Sequence, residues 1–359
     1  MSIALILYIG VFALVFMVGL LTGFRFQPSS VTALRSQKNS LNRGNIYFSV
    51  FLGIILVATC MLKPDEIADY NMYRYYYNAL VSGVNPKSSL EPTYIWFSAI
   101  CPSFEILIFF YAILAVGINL FVINRYSCNP FVSLLLYLSP YFVLHDMIQI
   151  RVAVSCALML WAITYLPSKD WKRYLLIIAV AVLFHYSALF FVPFVLLSGK
   201  KINKILYSII VVCLLVAAVV HISLGYLVQF IPIPALQTYY LSYAFSDAYT
   251  AQGVGVVIVG KCLMALWMLW KIDSIQTIFP YAIISLKIFV ISIGCFILLT
   301  DIPVMSGRLY EATAVIDIFA LAMFPLVSTY WKKVFVLIPI IFAIFRLPLA
   351  IGLLTSTIE

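Results

Sequence analysis

Apolar residues fill long runs of this chain and polar ones are confined to short intervals, a pattern that predicts membrane-crossing helices. Single spans are expected at Ser2 to Phe24, Ile46 to Leu62, Phe104 to Asn124, Ile205 to His221, Val254 to Trp270, Ile278 to Thr300, Leu309 to Tyr330 and Val334 to Leu354. Two stretches resist that reading. Phe131 to Leu166 is too long for one helix and carries Pro140 and the polar cluster His145, Asp146, Gln149 and Arg151, so two short helices meeting near the cluster are predicted. Tyr174 to Leu197 has the length of one span, yet basic residues flank both its ends and His185, Tyr186 and Ser187 sit at its midpoint. It either crosses once or enters and turns back.

Composition excludes a soluble globular protein. The 359 residues are 65% hydrophobic and 10% charged, with a mean hydropathy of +1.10, whereas soluble domains carry about 25% charged residues. The expected fold class is all-α, a polytopic integral membrane helix bundle of about 10 to 12 spans at roughly 20 residues each, including short or re-entrant hairpins. One transmembrane domain would cover residues 1–359. Ser2 to Phe24 lacks the basic n-region of a signal peptide and is long enough to span, so it is read as the first helix. Seven scattered cysteines, with no histidine at ligand spacing, predict neither a disulfide framework nor a metal, and no cofactor is expected. The net charge of +9 is dispersed through short loops, which is a topology signal and predicts no nucleic-acid partner.

That signal chooses between the two readings of Tyr174 to Leu197. If the segment turns back, fourteen of the 22 Lys and Arg fall in inner loops and six outside, Arg346 among the six, with Lys261 and Lys287 left in the membrane. If it crosses once, the split is ten against ten. The hairpin is favoured. It brings Asp69, Arg151, His185 and Arg308 to one outer face, with His185 at a tip that only a protein-lined or wet cavity tolerates. Two long outer loops follow from this topology. Residues 63–92 carry an amphipathic surface helix from Glu66 to Val81, and residues 223–253 are rich in tyrosine and proline.

These residues suit chemistry on a diphosphate-linked lipid. Arginine bonds phosphate oxygens in pairs and stays charged, so Arg151 and Arg308 are the candidate diphosphate ligands, although a boundary arginine also snorkels to the interface. His185 is a candidate base near neutrality, and Asp69 is the other. A lone histidine in an apolar run is also a common structural residue. Asp65, Glu66 and Glu91 read as solvated loop charges. Tyr70, Tyr73, Tyr75, Tyr76, Tyr77, Tyr94 and Trp96 offer flat faces for sugar rings, although most of such a cluster is expected to belong to the aromatic belt of any polytopic protein. Lys261, Lys287, Glu105 and Asp317 fall within spans, where charges pair inside the bundle.

In order along the chain, Asp69-Tyr70 with Tyr73, Glu91-Pro92-Thr93-Tyr94, Ile150-Arg151 opening an Ala-containing helix, Phe184-His185-Tyr186-Ser187-Ala188, and Arg308 with Tyr310 resemble the EpsG branch of the Wzy-type polysaccharide polymerases. The resemblance implies an O-antigen or capsule polymerase in the bacterial inner membrane. It would use undecaprenyl-diphosphate-linked glycans on the periplasmic face, with the lipid bilayer and a chain-length regulator protein as candidate partners. Arg151 and Arg308 would hold the donor diphosphate, His185 or Asp69 would activate the acceptor hydroxyl, and Tyr70, Tyr73, Tyr94 and Tyr310 would contact sugar. An O-antigen ligase and a lipid-linked oligosaccharide flippase are the rival readings; no repeated halves of the kind many transporters show are found.

Overall fold

Backbone N–H and C=O groups find no partners in hydrocarbon, so a spanning chain satisfies them within helices. The computed structural model describes residues 2–24, 43–64, 67, 69–84, 86, 90–224, 227, 230, 255–300, 302–328 and 330–355. Among these no strand occurs, and the chain is an all-α, multi-pass membrane helix bundle. Ser2 opens α1 (Ile3–Thr22) by accepting from the Leu5 N–H at 3.2 Å, and Gly23 closes it at φ 67°, a left-handed conformation that costs glycine little. Then come α2 (Arg43–Met61), α3 (Tyr70–Val81), α4 (Pro92–Ile100) and α5 (Phe104–Tyr126). Asn129 caps α6 (Pro130–Leu136), which continues as a π-helix over Tyr137–Ile148 before α7 (Ile150–Ala162).

Four stretches among the described residues are long and apolar enough to cross a bilayer: Ile3–Thr22, Phe104–Tyr126, Pro130–Ile148 and Lys332–Thr355. Shorter apolar helices accompany them. Pro130–Ile148 is the centre of the bundle, with 89% of its span buried against 39% for α1 and 28% for Lys332–Thr355. Apolar side chains such as Leu21, Leu196 and Val256 point outward, as lipid contact requires.

The expected junction of two helices falls in the polar cluster, and the first of them runs through Pro140 without stopping. Proline cannot donate to the ladder, and the turns widen to π instead. The Tyr8 hydroxyl lies 2.8 Å from both the Leu138 and Ser139 carbonyls, and Ser139 Oγ donates to Ala343 O at 2.6 Å. The break falls at Gln149 (φ −94°, ψ 60°), within the polar cluster. Arg151 therefore sits in the first turn of α7.

The ambiguous segment is a hairpin. Helix α8 (Trp171–Phe184) ends at the extended His185 (φ −156°), and a 3-10 arm runs over Tyr186–Leu196. The Tyr174 hydroxyl donates to Phe191 O at 2.5 Å, whereas a straight continuation would hold those residues about 25–34 Å apart at 1.5–2.0 Å per residue. At the open end, a Cβ added to Gly199 would lie 2.6 Å from Pro167 Cα, so the two ends touch. Fourteen residues of α8 rise only about 21 Å, short of a roughly 30 Å hydrocarbon core.

After α9 (Lys204–Val220), α10 (Val256–Ile278) runs eight residues past the expected end at Trp270, and α11 (Ala282–Leu298) follows after a break at Phe279–Tyr281. The expected single span Leu309 to Tyr330 is not one. Helix α12 (Pro303–Ala314) stops, a one-turn helix holds Asp317–Ala320, and a 3-10 turn holds Phe324–Val327. Residues 312–327 are buried, and irregular backbone is tolerated at depth only inside protein.

Asp317 explains where the break lies. Its Oδ2 accepts from Lys261 Nζ at 2.5 Å and from the Tyr141 hydroxyl at 2.6 Å, and lies 3.6 Å from Arg346 Nη1. Arg346 is thus not an outer loop charge but an intramembrane partner, mid-way along α13 (Leu337–Thr355). Lys287 donates to the carbonyls of Ser198 and Lys201, both at 2.7 Å, tying α11 to the hairpin's open end. Glu105 is in the exposed first turn of α5, 3.3 Å from Arg74, and not within the bundle. The surface helix begins at Tyr70 rather than Glu66, and Asp65, Glu66, Asp301 and nearly all of the 223–253 loop lie outside the described residues.

Single cysteines placed at Lys169 and Ser198, in a background without native thiols, should react with an impermeant reagent from the same side of the membrane. Labelling from opposite sides would rule the hairpin out.

Candidate functional site

Glu91 is the residue that the sequence reading missed. It precedes Pro92 at the start of α4, where a solvated charge is the ordinary expectation, yet it is 3% exposed. Its Oε2 accepts from Arg151 Nη1 and its Oε1 lies 2.6 Å from His185 Nδ1. One carboxylate thereby joins the loop before α4, the start of α7 and the tip of the hairpin. A carboxylate beside the proline that opens a helix, in a segment already matched to the polymerase pattern, was the available signal. Burial works against ionising Glu91, but the His185 hydrogen bond and the Arg151 charge outweigh it and hold the carboxyl below its ordinary range.

Arg151 is held on its faces as well as its edge. Its guanidinium carbon lies 5.1 Å from the Tyr73 ring centre and 5.7 Å from that of Tyr94. Tyr94 donates to Tyr73 O at 2.6 Å, which fixes α4 against α3. Among the described residues Arg151 Nε is buried without an acceptor, next to the Glu91 contact. His185 stands on a similar frame. Thr93 Oγ1 donates to Leu183 O at 2.8 Å, and Phe184 meets Tyr111 edge-on at 6.0 Å. The His185 side chain stays 27% exposed, and among the described residues Nε2 has no partner.

Asp69 and Arg308 complete the neighbourhood without touching the carboxylate. Asp69 opens α3 at φ 66° and makes no side-chain cap, so its carboxylate is not used in starting the helix. Burial raises its carboxyl above the ordinary range, while the nearby charges of Arg151, Arg308 and Lys63 pull it down. It is accordingly a stronger base than a fully solvated aspartate. Arg308 is exposed on α12 and lies within electrostatic range of both Asp69 and Glu311. Lys63 is buried beside them, donating to Met147 O at 2.5 Å, and burial pulls its ammonium down to about 8.

The tyrosines differ from expectation. Tyr73 and Tyr94 are 3% and 0% exposed with Arg151 against both rings, so they wall the arginine rather than offer a face to sugar. Tyr70, also buried, is covered by Lys63, Arg74 and Phe104. Tyr310 accepts from Lys261 at 2.8 Å and belongs to the Asp317 network inside the bundle. The structure thus brings Asp69, Arg151, His185 and Arg308 to one end of the bundle and leaves Tyr310 apart.

A multi-pass helical bundle that gathers arginine, histidine and a buried carboxylate at one mouth defines a membrane protein with a pre-organised charged site. The chain belongs to the EpsG family, whose sequence model matches residues 44–351, and is a polysaccharide-polymerase-like membrane protein. Every residue of the site lies within that match. No curated protein and no solved structure matches the chain.

Because the folded Glu91 carboxyl titrates below its unfolded value near 4.5, it contributes stability that is complete above about pH 4.5 and lost as pH falls through the folded value. Glu91→Gln should lower the stability of the detergent-solubilised protein by about 3 kcal/mol at pH 7, the cost of unpairing a buried charge. Its melting temperature should also fall less than the parent's between pH 5 and pH 3. Equal acid slopes would mean that Glu91 is not the ionised partner.

Proposed function

We propose that the protein polymerises undecaprenyl-diphosphate-linked oligosaccharide repeat units on the periplasmic face of a bacterial inner membrane. The observation that carries this reading is the convergence of Arg151 and His185 on one buried carboxylate, with Asp69 and Arg308 beside it. A glycosyl transfer from a lipid diphosphate needs cations where the leaving group gathers charge and a base where the acceptor hydroxyl loses its proton. Arg151 and Arg308 fill the first role. His185 or Asp69 fills the second, and Glu91 is the counter-charge that lets an arginine rest at the mouth of the bundle before substrate arrives.

Surface glycan from a deletion strain tests the reading: loss of a polymerase leaves a single capped repeat, loss of a ligase leaves bare lipid core, and loss of a flippase strands carrier inside. Within the polymerase, Arg151→Lys and Arg308→Lys should each remove most chain extension although charge is kept, since lysine cannot form paired bonds to phosphate oxygens. Normal glycan ladders from both variants would return these arginines to the role of interface anchors.

The base is tested separately in a reconstituted assay with purified lipid-linked repeat units. His185→Gln should abolish extension, and Asp69→Asn should weaken acceptor use and be partly rescued by excess acceptor. The reverse pattern would make Asp69 the base.

A further inference from the structure

Two carboxylates stand at helix starts in this site, and neither caps its helix. For Glu91 the contacts that replace capping are unusually demanding. Arg151 donates to one of its oxygens, and the other oxygen lies within hydrogen-bond distance of an imidazole nitrogen. An ionised carboxylate can only accept, so the proton of that second hydrogen bond belongs to His185 Nδ1. Glu91 is held in the ionised form by the same two partners. A neutral imidazole with its proton on Nδ1 has its lone pair on Nε2, which has no partner among the described residues, in a side chain that stays partly exposed.

We propose that Glu91 is the positioning residue of the transfer reaction, setting the tautomer of His185 so that Nε2 is the base and fixing Arg151 at a constant distance from it. This rests on the polymerase reading and goes further by choosing between the two candidate bases. As the acceptor oxygen bonds to the anomeric carbon of the donor sugar, the bond from that carbon to the diphosphate oxygen breaks and its electron pair leaves with the lipid diphosphate. The hydroxyl proton passes to His185 Nε2 and then to water. Arg151, tied to Glu91 through Nη1, is held beside His185 as the cation for the leaving diphosphate. One rigid carboxylate then spaces the proton acceptor and the leaving-group cation.

Replacing Glu91 by glutamine makes a sharp difference because an amide cannot accept at both ends. Arg151 requires the amide oxygen, so the amide NH2 turns to His185 and forces its proton onto Nε2, the wrong tautomer for a base there. The test uses the full chain, labelled with 15N-histidine in lipid nanodiscs. It has three histidines, and His185→Gln identifies the signal. The parent should show a protonated Nδ1 and an unprotonated Nε2, and Glu91→Gln should exchange them. In the reconstituted assay kcat should fall by about a hundredfold or more in Glu91→Gln, with KM for acceptor little changed, and Glu91→Asp should recover part of the rate. A parent protein with its proton on Nε2, or parental kcat in Glu91→Gln, would overturn the assignment; the first result does not depend on the Glu91→Gln protein folding. A parent that extends no glycan from intact lipid-linked units would overturn the polymerase reading instead, while the spectra still decide whether Glu91 sets the tautomer.

Discussion

The double contact of Glu91 is the interaction on which the site depends. It is a buried negative charge at the start of a nine-residue helix, and on its own it would be costly to ionise. Arg151 and His185 make it affordable, and in return it holds residues 60 and 94 positions away in sequence at a common point. The Thr93 bond to Leu183 O and the packing of Phe184 on Tyr111 bring the same elements together, and Glu91 fixes the point at which their polar groups meet. Tyr73 and Tyr94 close the remaining freedom of the guanidinium, so the arginine is ordered before any ligand binds.

Elsewhere in the bundle, three polar side chains are paired beside irregular backbone. Tyr8 covers two carbonyls of the π-helical stretch around Pro140, and Lys287 covers two at the open end of the hairpin. Asp317 sits where the expected span after Leu309 breaks up, and it draws in Lys261, Tyr141 and Arg346 from three other helices. These irregular segments are the ones that shape the bundle around its mouth. A regular set of straight helices would have had no place for a histidine 11 residues into the apolar run that begins at Tyr174.

Membership of the EpsG family gives the bundle its general character, and the geometry adds a division of labour inside the site. Glu91 and the two tyrosines hold; among the described residues Arg151 Nε and His185 Nε2 have no partner. Asp69 and Arg308 stand further out, coupled by charge and not by contact. Under the proposed function, an inner pair fixed by direct contact would keep the reacting atoms in register.

Much of this was legible in the chain itself. Apolar run length established a membrane helix bundle because hydrocarbon admits little else, and the distribution of lysine and arginine was enough to favour the hairpin, since that signal is summed over the whole sequence. Asp69, Arg151, His185 and Arg308 could be put on one face by topology alone. The role of Glu91 could not be read in the same way: whether a glutamate before a proline is solvated or buried depends on what packs over it, and here those residues come from distant helices. Arg346 was misread for the same reason, because its partner Asp317 lies in a broken helix that hydropathy renders as one span. The tyrosines looked like sugar platforms because composition reveals a ring but not what covers its faces. Sequence determined which groups share an end of the membrane, through the cost of burying charge and backbone; only the tertiary structure decided which of them touch, because contact is set by the packing of side chains that are far apart in the chain.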